Sequence, residues 1–457
     1  MNNKFSKLKI PKSMVENLNN LEFTSMTDIQ AKALPYILDG KDVIAQAKTG
    51  SGKTVAFGIG VVNKLDIKNS KTQSLILCPT RELAEQVAKE IRKLARFTNN
   101  IKVLTICGGL PFRPQVESLK HGAHIIVATP GRVLKHLNKN SFNLEFLNML
   151  VLDEAHRMLD MGFIEEITKV IRYAPKKRQT LLFSATYPPE IIELGASIQR
   201  DAINIQTIST EKPNEITEYF FQTPQNRKLS IVLRIFDTYR PENIIIFTNT
   251  KIEAQNISKF LKRQGIDALA LHGDLEQYQR RDVMVQFINK SCSVMVATDV
   301  AARGIDIKEL SLVINYELPH DEATYIHRIG RTGRAGETGL AFTLYINKES
   351  YKADAYKNEN RIFNDMSSLS KNENYKPTAL NSTIVIEGGK KNKMRAGDIL
   401  GALIKEAKID GKNIGKIDIY DNQSYVAISR DIIDTAYSNL KNCKIKGKKF
   451  PIWIKKG

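Results

Sequence analysis

Residues 42–63 read DVIAQAKTGSGKTVAFGIGVVN. A short apolar run, Asp42–Ala45, leads into the small and polar residues 47–54 and then into an apolar, helix-like stretch. Strand, glycine-rich loop and helix in that order are the context of a P-loop. Small residues let backbone N–H groups point at phosphate oxygens, and the helix start adds the positive end of its dipole. Gly50, Ser51 and Gly52 would form the cradle. Lys53 would reach the β- and γ-phosphates and Thr54 would hold Mg²⁺. Ala47 stands where the strict pattern has Gly.

Such a loop sits at the end of a buried parallel strand, and the flanking sequence agrees. Apolar runs such as Leu75-Ile76-Leu77, Ile125-Ile126-Val127, Met149–Leu152 and Leu181-Leu182-Phe183 alternate with helical segments up to about residue 346. Strands covered on both faces look like this, and their alternation with helices predicts α/β layers. A coarse repeat follows. LILCPTRELAEQVAKEIRKL (75–94) and IIIFTNTKIEAQNISKFLKR (244–263) are each a strand, a Thr-bearing turn and an amphipathic helix. Thr80 is followed 49 residues later by Thr129, and Thr250 is followed 48 residues later by Thr298. Two related α/β domains in tandem account for this.

The polar, Pro-containing stretch near 205–215 separates the halves, and 365–380, poor in apolar residues, reads as a linker. Beyond it come apolar runs at Thr383–Ile386, Ile417–Tyr420, Tyr425–Ile428 and Pro451–Ile454. Helical stretches Ala396–Ala407 and Asp431–Leu440 complete a βαββαβ order, a small α+β domain of ferredoxin-like type.

A nucleotide site needs acids and counter-charge as well as a loop. Asp153 and Glu154 follow a hydrophobic run about 100 residues after the P-loop. Asp153 at a strand end suits the Mg²⁺ shell, and Glu154 suits orienting or deprotonating an attacking water. In the second half, HRIGRTGR (327–334) interleaves arginines with glycines. Arg331 and Arg334 would meet a γ-phosphate when the two domains close, a contribution of roughly 10³–10⁵ in rate.

The chain has 457 residues and a net charge of +19. That excess favours a polyanionic partner. Cys78, Cys107, Cys292 and Cys443 form no CxxC pair, so no zinc or disulfide framework is expected. No apolar run reaches the ~18 residues of a membrane span. The N-terminus lacks a signal-peptide core, and the expected location is cytoplasmic.

Taken together, these residues resemble the DEAD-box RNA helicases of superfamily 2 over residues 5 to 350. The matching motifs run in order through AKTGSGKT, PTREL (79–83), Gly108-Gly109, TPGR (129–132), LDEAH (152–156), SAT (184–186), IIIFTNT, HGD (272–274), ATDVAARGIDI (297–307) and HRIGRTGR. The resemblance implies two RecA-like domains, residues 1–208 and 209–362, that close on ATP and RNA together. By it, Gln30 with Phe23 and Phe5 would form an adenine-reading site, and Gly304 and Asp306 would touch the nucleotide. Ser184, Thr186, His156 and His327 would couple hydrolysis to RNA. Thr80, Arg81, Gly109, Thr129, Gly131, Arg132 and Thr298 would grip the RNA backbone. Hydroxyls, guanidinium groups and bare backbone suit phosphate and 2′-OH contact and carry no base-reading geometry. His156 replaces the family's usual Asp, giving a DEAH form of motif II, and Met26 replaces a usual Pro. The first departure bears on coupling through a group that titrates near pH 6.5; the second predicts a local loop effect.

Residues 363–380 would link this motor to a third domain, 381–457, with sixteen Lys or Arg against eight Asp or Glu. Its GGKKNKMRAGDILGAL and IGKIDIYDNQSYVAI stretches resemble the C-terminal domain of the bacterial DbpA group. That resemblance implies an RRM-like fold that grips a hairpin of 23S rRNA in pre-50S particles, although the aromatic RNA-stacking signature is missing here. Lys390, Lys391, Lys393, Arg395, Lys446, Lys448 and Lys449 are the candidate contacts. The expected protein is a monomeric, ATP- and Mg²⁺-dependent RNA helicase acting in ribosome assembly, with no membrane or DNA partner. The competing readings are an ATP-gated RNA clamp that unwinds little, and a processive DNA helicase.

Overall fold

The computed structural model describes residues 3–47, 50–207, 216–302, 310–333, 338–364, 368–370, 372 and 374–455. Chain contacts divide the molecule into two units near residue 210. The expected boundary at 208/209 lies outside the described residues.

In the first unit, strands β1 (Val43–Gln46), β2 (Ser74–Leu77), β3 (Val103–Ile106), β4 (Ile125–Ala128), β5 (Met149–Asp153), β6 (Gln179–Ser184) and β7 (Ile203–Gln206) form one parallel sheet. Its order is β3-β4-β2-β5-β6-β1-β7. Alternate residues feed two cores. Ile76, Val127 and Val151 pack into one, while Leu75, Leu77 and Leu150 pack into the other. That double burial explains the runs of consecutive apolar residues in the central strands, with polar residues such as Ser74 and Asp153 at their ends.

The second unit repeats the plan. Strands β8 (Ile216–Gln222), β9 (Ile244–Thr248), β10 (Ala268–Leu271), β11 (Val294–Thr298), β12 (Leu312–Asn315), β13 (Gly339–Tyr345) and β14 (Arg361–Asn364) run parallel in the order β10-β11-β9-β12-β13-β8-β14. Each strand takes the place of its counterpart seven strands earlier. The Thr-bearing turns also correspond. Thr80 accepts from the Leu83 N–H (3.3 Å) at the start of helix Arg81–Leu94, and Thr250 accepts from Glu253 (3.2 Å) at the start of helix Lys251–Arg263. Both are N-caps that satisfy a first-turn donor.

The same unit carries a four-stranded antiparallel sheet, β15 (Asn381–Ile386), β16 (Ile414–Ile419), β17 (Ser424–Ser429) and β18 (Ile452–Lys455), ordered β16-β17-β15-β18. Helix Ala396–Gly401, prolonged in π geometry to Glu406, and helix Ile433–Asn442 cover one face. The other face lies on helix Gln277–Ile288. Val285 packs between Val385 and Tyr425, and Asp282 accepts from the Tyr425 hydroxyl (2.8 Å) and pairs with Lys455 (2.5 Å). Arg281 lies 4.9 Å from the Tyr420 ring centre. Thr383 and Asn289 are hydrogen-bonded at 2.9 Å.

The stretch expected to be a plain linker is strapped down where it is described. Leu369 is buried in the second-unit core, Arg234 donates to the Leu369 and Ser370 carbonyls, and Asp237 accepts from the Ser370 hydroxyl and the Tyr375 N–H.

Candidate nucleotide and RNA site

The P-loop leaves β1 and enters helix Lys53–Asn63 through Gly52, whose φ is +93°. That left-handed φ favours glycine, and a Cβ there would also displace the Gln30 amide, whose Nε2 would lie at 2.4 Å. Gln30 is nearly buried. Its Nε2 donates to the Gly52 carbonyl (3.1 Å), and its Oε1 accepts from the Thr27 N–H (3.0 Å). Thr27 donates in turn to the Ser51 carbonyl (2.8 Å). The glutamine thus braces the loop that it was expected to serve through a base. Thr27 is a strut that the sequence reading missed; its position three residues before Gln30 was the available signal. Phe5 is buried in the first-unit core with Phe23 packed against it.

Lys53 donates to the Ala47 carbonyl (3.0 Å) and pairs with Glu154 Oε1 at 2.8 Å. Both charges are buried. Burial alone would raise the Glu154 pKa, but Lys53, Arg157 and His156 outweigh it and hold the group ionised. Asp153, the last residue of β5, responds oppositely. Burial first and the Glu154 charge second push it up to about 7. Its Oδ1 is buried without a hydrogen-bond partner among the described residues. An orphaned carboxylate oxygen in a buried site is a position that a cation would satisfy. Glu154 itself has φ +54°, which turns the chain sharply from strand into helix Ala155–Asp160.

His156 reaches the SAT segment. The Ser184 hydroxyl lies 2.7 Å from the Thr186 carbonyl and 2.8 Å from His156 Nδ1, a nitrogen that also accepts from the Ala185 N–H (3.4 Å). The His156 N–H donates to the Ser184 hydroxyl oxygen at 3.3 Å. The imidazole Nε2 lies 3.5 Å from Glu154 Oε2. One histidine therefore ties motif II to the β6 end and to the carboxylate.

The first-unit residues expected to touch RNA gather at the ends of β2, β3 and β4. Gly109 (φ +72°) leaves room for the Arg81 guanidinium, which a Cβ would strike at 1.8 Å. Thr129 accepts from the Gly108 N–H (3.4 Å), and Arg132 donates to the Leu110 carbonyl (2.6 Å). Gly131 is exposed on the first turn of helix Pro130–Asn138. Burial and then the neighbouring Arg81 lower the Arg132 pKa. The two guanidinium groups make this end of the sheet locally cationic.

In the second unit, Thr298 ends β11 and His327 lies on helix Glu322–Ile329. Arg331 is buried. Arg334, Gly304 and Asp306 lie outside the described residues. Sequence reading also missed Arg328. It is fully buried, grips Asp299 through two 2.7 Å bonds, and donates to Asn315, Asn249 and the Glu317 carbonyl. Spacing in HRIGRTGR gives no sign that its first arginine turns inward. In the last domain the basic stretches converge: Lys446 donates to the Lys393 carbonyl (2.8 Å), and Lys390, Lys391, Arg395, Lys448 and Lys449 are exposed.

Paired RecA-like sheets, a P-loop lysine and a strand-end acid pair define a P-loop ATPase motor. Residues 27–194 match the DEAD/DEAH box helicase model, 227–336 the helicase conserved C-terminal domain and 383–454 the DbpA RNA binding domain. The ATP-dependent RNA helicase DbpA of Escherichia coli K12 is 48% identical over 453 residues, 97% of this chain and 98% of that protein. The helicase CshA of Geobacillus kaustophilus is 41% identical over 347 residues, 76% of this chain and 74% of its own. S. cerevisiae Dbp5 bound to RNA and ADP BeF3 superimposes with a TM-score of 0.72 at 29% identity, covering 80% of this chain and 96% of that one. The chain belongs to the DEAD-box family of ATP-dependent RNA helicases, with a DbpA-type RNA-binding domain. It is an RNA-dependent ATPase. No described helix is long and apolar enough to cross a membrane.

Proposed function

We propose that this helicase opens or remodels RNA locally, beside a 23S rRNA hairpin held by its RRM-like C-terminal domain, during assembly of the large ribosomal subunit. The observation that carries this reading is the convergence of two lysine-rich stretches on one surface of a domain matched to the DbpA RNA binding domain. Holding the motor beside one hairpin raises its effective concentration there, so a core without base preference acquires a target.

In this reading Gln30 selects adenine, and Lys53 leaves Glu154 to meet the β- and γ-phosphates. Asp153 and Thr54 would hold Mg²⁺, which supplies charge neutralisation on the phosphates. Freed from the lysine, Glu154 orients the attacking water. Arg331 and Arg334 face the charge that develops on the transferred group. His156 and Ser184, with Thr186, report RNA contact to the hydrolytic acids. Arg81, Gly109, Thr129, Gly131, Arg132 and Thr298 hold the backbone. The protein works as a monomer in the cytoplasm.

Crosslinking to total cellular RNA followed by sequencing of bound fragments tests the target. Enrichment of one 23S hairpin supports the reading, and an even spread over all transcripts overturns it. Strand displacement of a short duplex beside that hairpin separates unwinding from an ATP-gated clamp.

A further inference from the structure

Phe112 opens helix Phe112–Lys120 immediately after the Gly108-Gly109 turn. Its ring stacks on His136 with centroids 4.1 Å apart and planes 17° from parallel. His136 is fully buried, its Nε2 lies 3.0 Å from Gln115 Oε1, and Gln115 donates to the Cys107 carbonyl (3.0 Å). The imidazole is thus a fixed backing plate. Three cations surround the half-buried phenyl ring: Arg132 at 5.7 Å, Lys135 at 5.6 Å and Lys139 at 5.4 Å from its centre. Both lysines are exposed. Hydrophobic burial accounts for the contact with His136. Cation–π attraction and the shared helix face of Arg132, Lys135 and Lys139 hold three like charges at one aromatic ring, where they also repel one another and favour an anion.

We propose that Phe112, Lys135 and Lys139 form a nucleobase-stacking position that extends the RNA path beyond Arg132. An unpaired base would lie on the phenyl ring, and the flanking phosphates would draw the lysines away from it. An aromatic face accepts any base, so the position adds affinity for single strands without reading sequence. It differs in kind from the neighbouring grip, which addresses only backbone. The inference rests on the reading that Thr129–Arg132 holds RNA.

The test uses the full-length protein with Mg²⁺ and ADP–beryllium fluoride. The probes are hexauridine extended at its 5′ or its 3′ end by four uridines or by four abasic residues. At one of the two ends the uridine extension binds more tightly than the abasic one, by roughly 5- to 100-fold. Phe112→Tyr keeps that difference and Phe112→Leu, which retains apolar packing, erases it. Replacing Lys135 and Lys139 together by Gln weakens both extensions alike and flattens the salt dependence by about 1.4 in log–log slope. Equal binding of the two extensions by the unaltered protein, or a difference that survives Phe112→Leu, overturns the proposal. Failure of the unaltered protein to bind even hexauridine removes the backbone grip itself, and this inference with it.

Discussion

Gly52 and Gln30 show how tightly single residues are committed in the nucleotide site. An added methyl at Gly52 meets the Gln30 amide and also faces a left-handed φ. Gly52→Ala is expected to raise the KM for ATP at least tenfold, measured as RNA-stimulated phosphate release. Glu154→Gln keeps the side chain's shape but removes the charge that pairs with Lys53. Turnover should fall roughly 10²–10⁴-fold, the range for a lost general base, while ATP still binds. A variant turning over near the normal rate would exclude Glu154 from water activation. His136 makes a separate prediction. Burial, then Arg132 and Lys135, press its pKa down to about 4 from 6.5. The unfolded chain therefore binds the extra proton first, so this residue's contribution to stability is present above pH 6.5 and is lost as pH falls toward 4. Urea unfolding midpoints of the full chain between pH 7 and 4 should drop less steeply in His136→Gln.

At the level of elements, what the sequence discloses depends on whether local physics demands it. The central parallel strands were legible because both faces are buried, which gives runs of consecutive apolar residues. The P-loop was legible because phosphate approach demands small residues there. The paired Thr caps were visible as a repeat, and both bind first-turn N–H groups. Contacts set by tertiary position were not legible. The straps at 368–370 and at Tyr375 are made by backbone carbonyls, a backbone N–H, one serine hydroxyl and one leucine, which leave no pattern. The partner of Tyr425 lies 143 residues away in the chain. Arg328 was hidden for the same reason, since a charge run does not say which member is interior. Its replacement by Ala would strand a mostly buried Asp299, at a cost of about 3–5 kcal/mol to the second unit. Arg328→Lys should recover little, because an ammonium cannot make the two-bond fork. Thermal unfolding checks both variants.

On the scale of the whole chain, the net charge of +19 and the proposed grip of the C-terminal lysines on RNA lead to one expectation about salt. Five phosphate contacts to single-stranded RNA would cost about 10² in affinity between roughly 50 and 200 mM salt. A titration across that range, with and without residues 381–457, measures their share. The seat of the C-terminal sheet on helix Gln277–Ile288 makes a further prediction. Asp282→Lys removes one of the two acceptors of the Tyr425 hydroxyl and sets a like charge against Lys455. The domain should loosen, and a protease should cut within 364–380 sooner. Exchanging the pair, with Asp282→Lys and Lys455→Asp together, should restore part of the protection.

That seat also bears on engineering. Val385, Tyr425 and Trp453 lie on the sheet face turned to the motor, with Val285 as their counterpart. Cut out and fused to a foreign enzyme as an address tag, the module would carry an uncovered greasy plate into solvent and self-associate. A transplant that stays soluble must bring helix Gln277–Ile288 along, or trade those three side chains for polar ones.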